Sequence, residues 1–309
     1  MADDPHPMKV QALCIGHASG DLTMRLDAYP AENSKAEVDA LIEAGGGPAA
    51  NAACLLASWG VGTASAGAVG DDTYGRRVLD DFRAAGVDIS LVQVQPGEAT
   101  AVSFILVNRA NGSRTIINRR RSGPPARLGA GVPGHWRPRL LLFDGHELPA
   151  SLAAIQAFPD ALTMLDAGSL REGTDALAGR VDYLVCSERF ARQATGLSAL
   201  DSPDARSQCL ARLRERNPRT VVVTLGERGL IYDDGRHTGH LPAMNVRPVD
   251  TTAAGDVFHG AMAFALLQNM PLLQALALAT TAAGLSVQSP GGRASIPTLA
   301  AVRAAMPRS

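Results

Sequence analysis

The stretch "DTTAAGDVFHGA", residues 250–261, sets two threonines, two alanines and a glycine between aspartates and then turns apolar. A polar cap is ordinary at a helix start, but a glycine in the first turn costs helix stability. The composition makes sense if the bare backbone is what is wanted. A helix N-terminus carries unpaired N–H groups and a partial positive charge, and small side chains at Ala253, Ala254 and Gly255 leave both open to an anion such as phosphate. Asp256 would repel that anion if it had to bind it. Beside it, the carboxylate is placed to take a proton from a hydroxyl that attacks the phosphate. A plainer reading also fits: Asp250 or Thr251 caps the helix and Asp256 only complements the dipole. Spacing alone supports both equally.

Outward from this helix, apolar β-type runs alternate with helical runs. Strands are expected at "VQALCIG" (10–16), "ASAGAVG", "RLLLFDG" (139–145), "LTMLDAG", "VDYLVCS" (181–187) and "TVVVTLG" (220–226), and helices at 48–60, 74–86, "ASLAAIQAF", "SPDARSQCLARLRER", 254–268, 272–288 and 298–306. Such alternation predicts a mostly parallel sheet covered on both faces, an α/β fold. Two stretches break the rhythm. Segments 21–30 and 36–44 are β-like without an intervening helix, and 100–120 reads as a hairpin turning at "NRANGS". Antiparallel pieces of this kind predict a small β lid from about 17–45 and 99–122 on a single domain spanning 1–309. Both faces of "AVSFILV" are apolar, so something should cover the outer one. A second subunit would do so, making a homodimer through the lid; packing on the protein's own body is the other possibility.

The chain has 309 residues, 46% of them hydrophobic and 19% charged, enough to bury a large core. The formal net charge of -1 gives no basic excess to attract nucleic acid. Cys14, Cys54, Cys186 and Cys209 form no CxxC pair and read as free thiols in a reducing compartment. The opening "MADDPHP" is not a signal peptide, and the apolar region 257–287 is interrupted by "QNMP", so no membrane span is expected and the protein reads as cytoplasmic.

Lys9 and Lys35 are the only lysines and neither follows a glycine, which excludes a P-loop. "GGGPAA" (45–50) fits a dinucleotide fingerprint, but the segment before it carries Glu37, Asp39 and Glu43, unsuited to a central parallel strand. "GAGVPG" (129–134) fits too, with no strand before it.

"DTTAAGD" is similar to the DTxGAGD signature of the ribokinase family of small-molecule kinases, with Ala253 where Gly is commoner. "GGGPAAN" (45–51) resembles the family's first glycine-rich motif and "VVVTLGERGL" (221–230) its nucleotide segment; "GDD" (70–72) and "PGGRASIP" (290–297) fall where members carry such runs. Within the family the motifs most resemble the sulfofructose kinase branch, with ketohexokinases more distant. The resemblance implies an α/β sandwich with a β lid, ATP as phosphoryl donor, Mg²⁺, and a sugar or sugar derivative as acceptor. It implies Asp256 as general base and the 253–255 backbone as anion hole. Asp21, Gly46, Gly47 and Asn51 would hold substrate hydroxyls, with Lys35, Asn118 and His146 as further pocket positions. Thr224, Gly226, Gly229 and Gly255 would line the nucleotide, its adenine against 272–288 and the loop 289–295. The carbonyls of Asp250 and Thr252, with Ser295, would hold a monovalent cation such as K⁺. Members usually carry Asn-x-x-Glu after a mid-chain strand; here the stretch is "SERF", which leaves Ser187 and Glu188 for that place and puts Phe190 where the acid belongs. His146 stands where an arginine for a sulfonate is expected, which speaks against a sulfonated acceptor. Aromatics are only 4% of the chain, which favours a sugar over a nucleoside that would need stacking. A non-catalytic sugar- or nucleotide-binding regulator is the remaining alternative, and it leaves Asp256 unexplained. Arg119, Arg120 and Arg121 read either as a solvated loop or as a grip on an anionic substrate.

Overall fold

Short strands rich in Val, Leu and Ala feed helices that fold back over them, which is how a chain builds parallel pairs. The computed structural model describes residues 9–129 and 132–306, so "GAGVPG" lies partly outside the described residues. Strand β1 (Ala12–Ile15) is followed by β2 (Ser19–Leu26) and β3 (Leu41–Gly46), then α1 (Pro48–Ser58), β4 (Thr63–Gly70), α2 (Thr73–Ala84) and β5 (Asp88–Gln95). The hairpin β6 (Ala101–Asn108) and β7 (Arg114–Arg119) precedes β8 (Leu140–Phe143), α3 (Leu148–Ala157), β9 (Leu162–Ala167), α4 (Glu172–Ala178), β10 (Tyr183–Ser187) and α5 (Glu188–Thr195). The chain ends with α6 (Pro203–Arg216), β11 (Thr220–Thr224), β12 (Leu230–Asp233), β13 (Thr238–Leu241), α7 (Ala254–Leu267), α8 (Leu272–Ser286) and α9 (Leu299–Ala305).

Nine strands form one sheet in the order β13-β12-β11-β10-β9-β8-β1-β4-β5, and β3-β2-β6-β7 form a second, smaller one. From β5 to β11 every pairing in the large sheet is parallel; only β12 runs against the others, pairing antiparallel with β11 and β13. Alternate residues of each strand serve opposite cores. Ala12, Cys14, Leu140 and Leu142 join α1, α7 and α8 on one face, while Leu13, Ile15, Leu141 and Phe143 join residues of α3, α4, α5 and α6 on the other. Helix α7 is buried from Val257 to Leu267, as an all-apolar helix should be. A Cβ at Gly260 would press on the α1 backbone at Ala52, so glycine there lets α1 and α7 approach closely. All four cysteines are buried free thiols. No helix of the described residues is long and apolar enough to cross a membrane.

Several expectations need correction. The β-like segment 36–44 is strand only from Leu41, because the acidic run before it has no partner strand to pair with. The smaller sheet is mixed: β2 pairs antiparallel with β3 but parallel with β6. Strand β5 and helices α4 and α5 were not foreseen. Strand β5 is a half-buried sheet edge, and the two helices run only 7 and 8 residues, too few to show a period.

Candidate active site

The backbone that leads into α7 is unusual. The helix begins at Ala254, and its cap residue, Ala253, sits in the left-handed region at φ 60. That conformation is easy for glycine and costs an alanine about 1–2 kcal/mol, which explains why Gly is the commoner residue in the motif. Neither Asp250 nor Thr251 caps the helix with its side chain. Among the described residues no acceptor meets the N–H groups of Ala253, Gly255 or Asp256, while Ala254 N–H turns weakly to the Thr251 carbonyl at 3.4 Å. A Cβ on Gly255 would meet nothing within 4 Å, so this backbone opens on free space.

Asp256 follows in the same first turn. Asn51, buried in the first turns of α1, donates from Nδ2 to Asp256 Oδ2 at 2.6 Å. Burial pushes the Asp256 carboxyl above its usual range, with the Asn51 bond opposing. Asn51 is not a helix cap: Gly47 holds the cap position of α1, and no side chain bonds there. Its oxygen accepts from Arg293 Nε at 2.9 Å, and Arg293 also reaches the Gly46 carbonyl at 3.4 Å. Asp81 lies 3.6 Å from the guanidinium and accepts from Gly45 N–H at 2.7 Å, and the Phe82 ring lies 5.1 Å beneath. Neither Arg293 nor Asp81 stood out in the sequence. The glycine-rich run containing Arg293 was visible, but its contact with Asn51 spans 242 residues.

Asp21, on β2, accepts from Ser19 Oγ at 2.8 Å, and burial raises its pKa. A side chain at Gly46 would collide with the Asp21 carboxylate, and one at Gly47 (φ 102) with the His17 carbonyl. Registers put Asp21, Ser103 and Asn118 in one row across β2, β6 and β7, on the same face of the small sheet. Lys35 is exposed in the 27–40 loop and makes no hydrogen bond or ion pair with the described residues, so it is not brought to this cluster. His146, after β8, stacks on His17, after β1, at 4.5 Å. The β6–β7 hairpin tip docks on the segment before α7: Thr251 N–H donates to the Gly112 carbonyl at 3.1 Å, and Arg114 Nη1 donates to Thr251 Oγ1 at 3.0 Å.

At the ends of β10 and β11 the residues are less free. Ser187 Oγ caps α5 by accepting from Phe190 N–H at 3.2 Å and donates to the Gly168 carbonyl at 2.8 Å. Glu188 pairs with Arg228, and Phe190 is fully buried in the core. Ser187 and Glu188, the expected cofactor-binding residues, are thus engaged in a helix cap and an ion pair. Thr224 Oγ1 leans on the Cys186 carbonyl at 3.4 Å. Gly226 (φ 62) borders open space, and Gly229 (φ 83) lies against the Leu241 carbonyl with no room for a side chain. Of the residues expected at a cation, the Asp250 carboxylate accepts from Thr252 N–H at 2.8 Å and from Gly291 N–H at 2.9 Å, tying this segment to the turn that carries Ser295, which donates to the Gly292 carbonyl at 2.7 Å. The buried Thr252 Oγ1 has no hydrogen-bond partner, which fits a cation among oxygens. On α7, His259 bonds the carbonyls of Gly255 and Val185 and lies 3.2 Å from Asp166, whose pKa is raised by burial; His259 is thus a core residue. The run after β7 is tied down as well: Arg119 donates to the Thr100 carbonyl at 2.8 Å and Arg121 pairs with Glu147 at 3.1 Å.

A carboxylate held by Asn51 thus stands beside helix-start N–H groups that have no acceptor among the described residues. Similarity to known proteins gives the class. The pfkB family carbohydrate kinase model matches residues 10–123 and 150–299. A ribokinase of Lactococcus lactis is 28% identical over 295 residues, covering 94% of this chain and 95% of that protein. The solved structure of an Agrobacterium tumefaciens protein assigned as a ribokinase superposes with a TM-score of 0.85 at 28% identity, covering 96% of this chain and 97% of that one. Arabidopsis thaliana ribokinase, solved with ribose and ATP, shares the fold at TM-score 0.80 and 23% identity over 98% of this chain and all of that one. The chain belongs to the pfkB family of carbohydrate kinases. The finer resemblance to the sulfofructose kinase branch has no counterpart in these matches.

Proposed function

We propose that the protein transfers the γ-phosphoryl group of ATP to a hydroxyl of a sugar or sugar derivative. The observation that carries this is Asp256, buried and oriented by Asn51, beside the unpartnered N–H groups of Ala253 and Gly255. Asp256 takes the proton of the acceptor hydroxyl as its oxygen bonds to phosphorus and the bond to the departing ADP oxygen breaks. A positioned base contributes about 10²–10⁴-fold. The 253–255 backbone holds the negative charge that spreads over the transferring group, at no cost of reorientation. Asp21, Asn51 and the Gly46–Gly47 backbone hold the acceptor's hydroxyls, with the row through Ser103 and Asn118 as the underside of the lid. Thr224, Gly226 and Gly229 border the nucleotide.

Mg²⁺, carried on the nucleotide phosphates, would neutralise their charge, with no protein cage required. Thr252 and the Asp250 and Ser295 segments fit a K⁺ ion, which would add positive charge next to the 253–255 backbone. The outer face of the small sheet exposes Leu41 (49%), Phe104 (40%) and Ile117 (59%), which registers place on one side. A second copy of the chain covering this patch makes a homodimer through the lid. An ADP-release assay across aldoses, ketoses, sugar acids, sugar phosphates and nucleosides, with and without potassium, tests the activity. Turnover confined to nucleosides, or ADP release indifferent to any acceptor, would sink the reading. Sizing chromatography tests the dimer, which a monomeric elution would remove.

A further inference from the structure

In the large sheet β1 lies between β4 and β8, so the strand order reverses at this point, and open parallel sheets place ligands beyond the carboxyl ends of the strands at such a reversal. Three side chains from the ends of β1, β8 and β9 meet there. The rings of His17 and His146 stack at 4.5 Å, and the Arg171 guanidinium bonds the His146 ring. Among the described residues no carboxylate lies within ion-pairing distance of Arg171, and its buried Nε has no hydrogen-bond partner. The other arginines around the cleft are occupied: Arg114 by Thr251, Arg119 by the Thr100 carbonyl, Arg121 by Glu147 and Arg293 by Asn51. Asp144, behind the rings, spends its oxygens on the N–H groups of His17, Ala49 and His146 at 2.8, 3.3 and 2.9 Å. Arg171 is thus half-withdrawn from water, hydrogen-bonds only an imidazole, and feels the Asp166 carboxylate from beyond ion-pair distance; an incoming anion would complete its charge and its free Nε.

We propose that His17, His146 and Arg171 form an acceptor subsite for an oxyanion group, so that the acceptor is an acidic sugar derivative rather than a neutral sugar. The inference rests on the kinase reading above and narrows its substrate class. Arg171 supplies the charge and a forked pair of donors, and the imidazoles supply further N–H groups. Burial, followed by the neighbouring imidazole, lowers the pKa of His17; burial likewise lowers that of His146. The charged groups facing the rings are Asp144, Arg171 and Arg121. A bound anion favours the protonated rings, so acidic acceptors should bind more tightly as pH falls.

The test compares kcat/KM for neutral sugars, sugar acids and sugar phosphates in the wild type, Arg171→Gln and Arg171→Lys. The ratio of acidic to neutral acceptor should fall roughly ten- to a hundredfold in Arg171→Gln, the span of hydrogen bonds to a charged group, and recover in part in Arg171→Lys. The change should sit in KM for the acid, with KM for ATP kept. Preference for the acid or for the phosphate tells which oxyanion fits. A wild type that prefers neutral sugars overturns the proposal. So does an Arg171→Gln variant that loses all acceptors equally while its KM for ATP rises, because Arg171 would then serve the nucleotide. Thermal shift without ATP separates this from failure of the kinase reading. Gluconate or ribose 5-phosphate stabilising the wild type but not Arg171→Gln supports the subsite even if no acceptor turns over; no shift in either protein removes it.

Discussion

On the proposed acceptor side, Asp256, Asn51, Arg293, Gly46 and Asp81 form one chain of polar contacts running through α7, α1, the 292–295 turn, β3 and α2. On the proposed nucleotide side, Ser187, Glu188 and Thr224 each turn to a protein neighbour: Gly168, Arg228 and Cys186. The first wall is held by mutual contacts; in the second each side chain is tied separately to its own neighbour. Substitutions in the first should therefore strike turnover, and those in the second mainly nucleotide affinity.

The largest effect belongs to Asp256→Asn. An amide cannot take the proton, so kcat should drop by about 10²–10⁴-fold while ATP binding, followed by calorimetry, stays near the wild-type value. The same change should raise the melting temperature at neutral pH. The folded protein raises this carboxyl's pKa, so it holds the proton more tightly than the unfolded chain does. Stability from that difference is present at low pH and lost as pH rises through the folded pKa, and asparagine removes the loss. In the wild type, kcat should fall with acid through a pKa above the ordinary aspartate range. A variant that keeps wild-type turnover would remove Asp256 as base.

Arg293→Met comes next. It leaves Asn51 Oδ1 without its donor, so the amide that orients Asp256 is free to rotate. Small misplacements at a reacting group cost up to about a hundredfold, and kcat/KM should fall by roughly ten- to a hundredfold with circular dichroism unchanged. Equal turnover would show that Asn51 is held by packing alone. Glu188→Gln tests the other wall. It breaks a half-exposed pair with Arg228, a kind of contact generally worth about 0–1 kcal/mol, so kcat should change by less than about fivefold. A hundredfold loss would erase the difference between the two walls and restore Glu188 as a metal-phosphate residue.

The two walls also differ in how far they could be read beforehand. The parallel sheet was legible because buried strands such as "RLLLFDG" and "TVVVTLG" are continuous apolar runs, whereas β5 alternates weakly at an exposed edge. The start of α7 was legible because a polar run with small residues gives way there to an unbroken apolar stretch. Arg293, Asp81 and Arg171 were not, since each acts through a side chain distant in sequence and nothing local marks which way an arginine points. At Ser187 and Glu188 the family resemblance implied nucleotide contacts, but a helix cap and an ion pair use the same residue types.

The smallest expected effect concerns the one strained residue at the boundary of both walls. Ala253 holds φ 60 where glycine would be unstrained, and burial leaves its methyl group little freedom to relax. Ala253→Gly removes about 1–2 kcal/mol of left-handed strain but gives back about 0.4–1 kcal/mol of unfolded-chain entropy. The net is a stabilisation of roughly 0–1.6 kcal/mol, or up to about three degrees in melting temperature for a chain of this size. Scanning calorimetry resolves that shift. A lower melting temperature would mean that the alanine methyl contributes more through packing than its backbone angle costs. The turn's geometry would then be imposed by the hairpin tip docked on Thr251 rather than merely tolerated by residue 253.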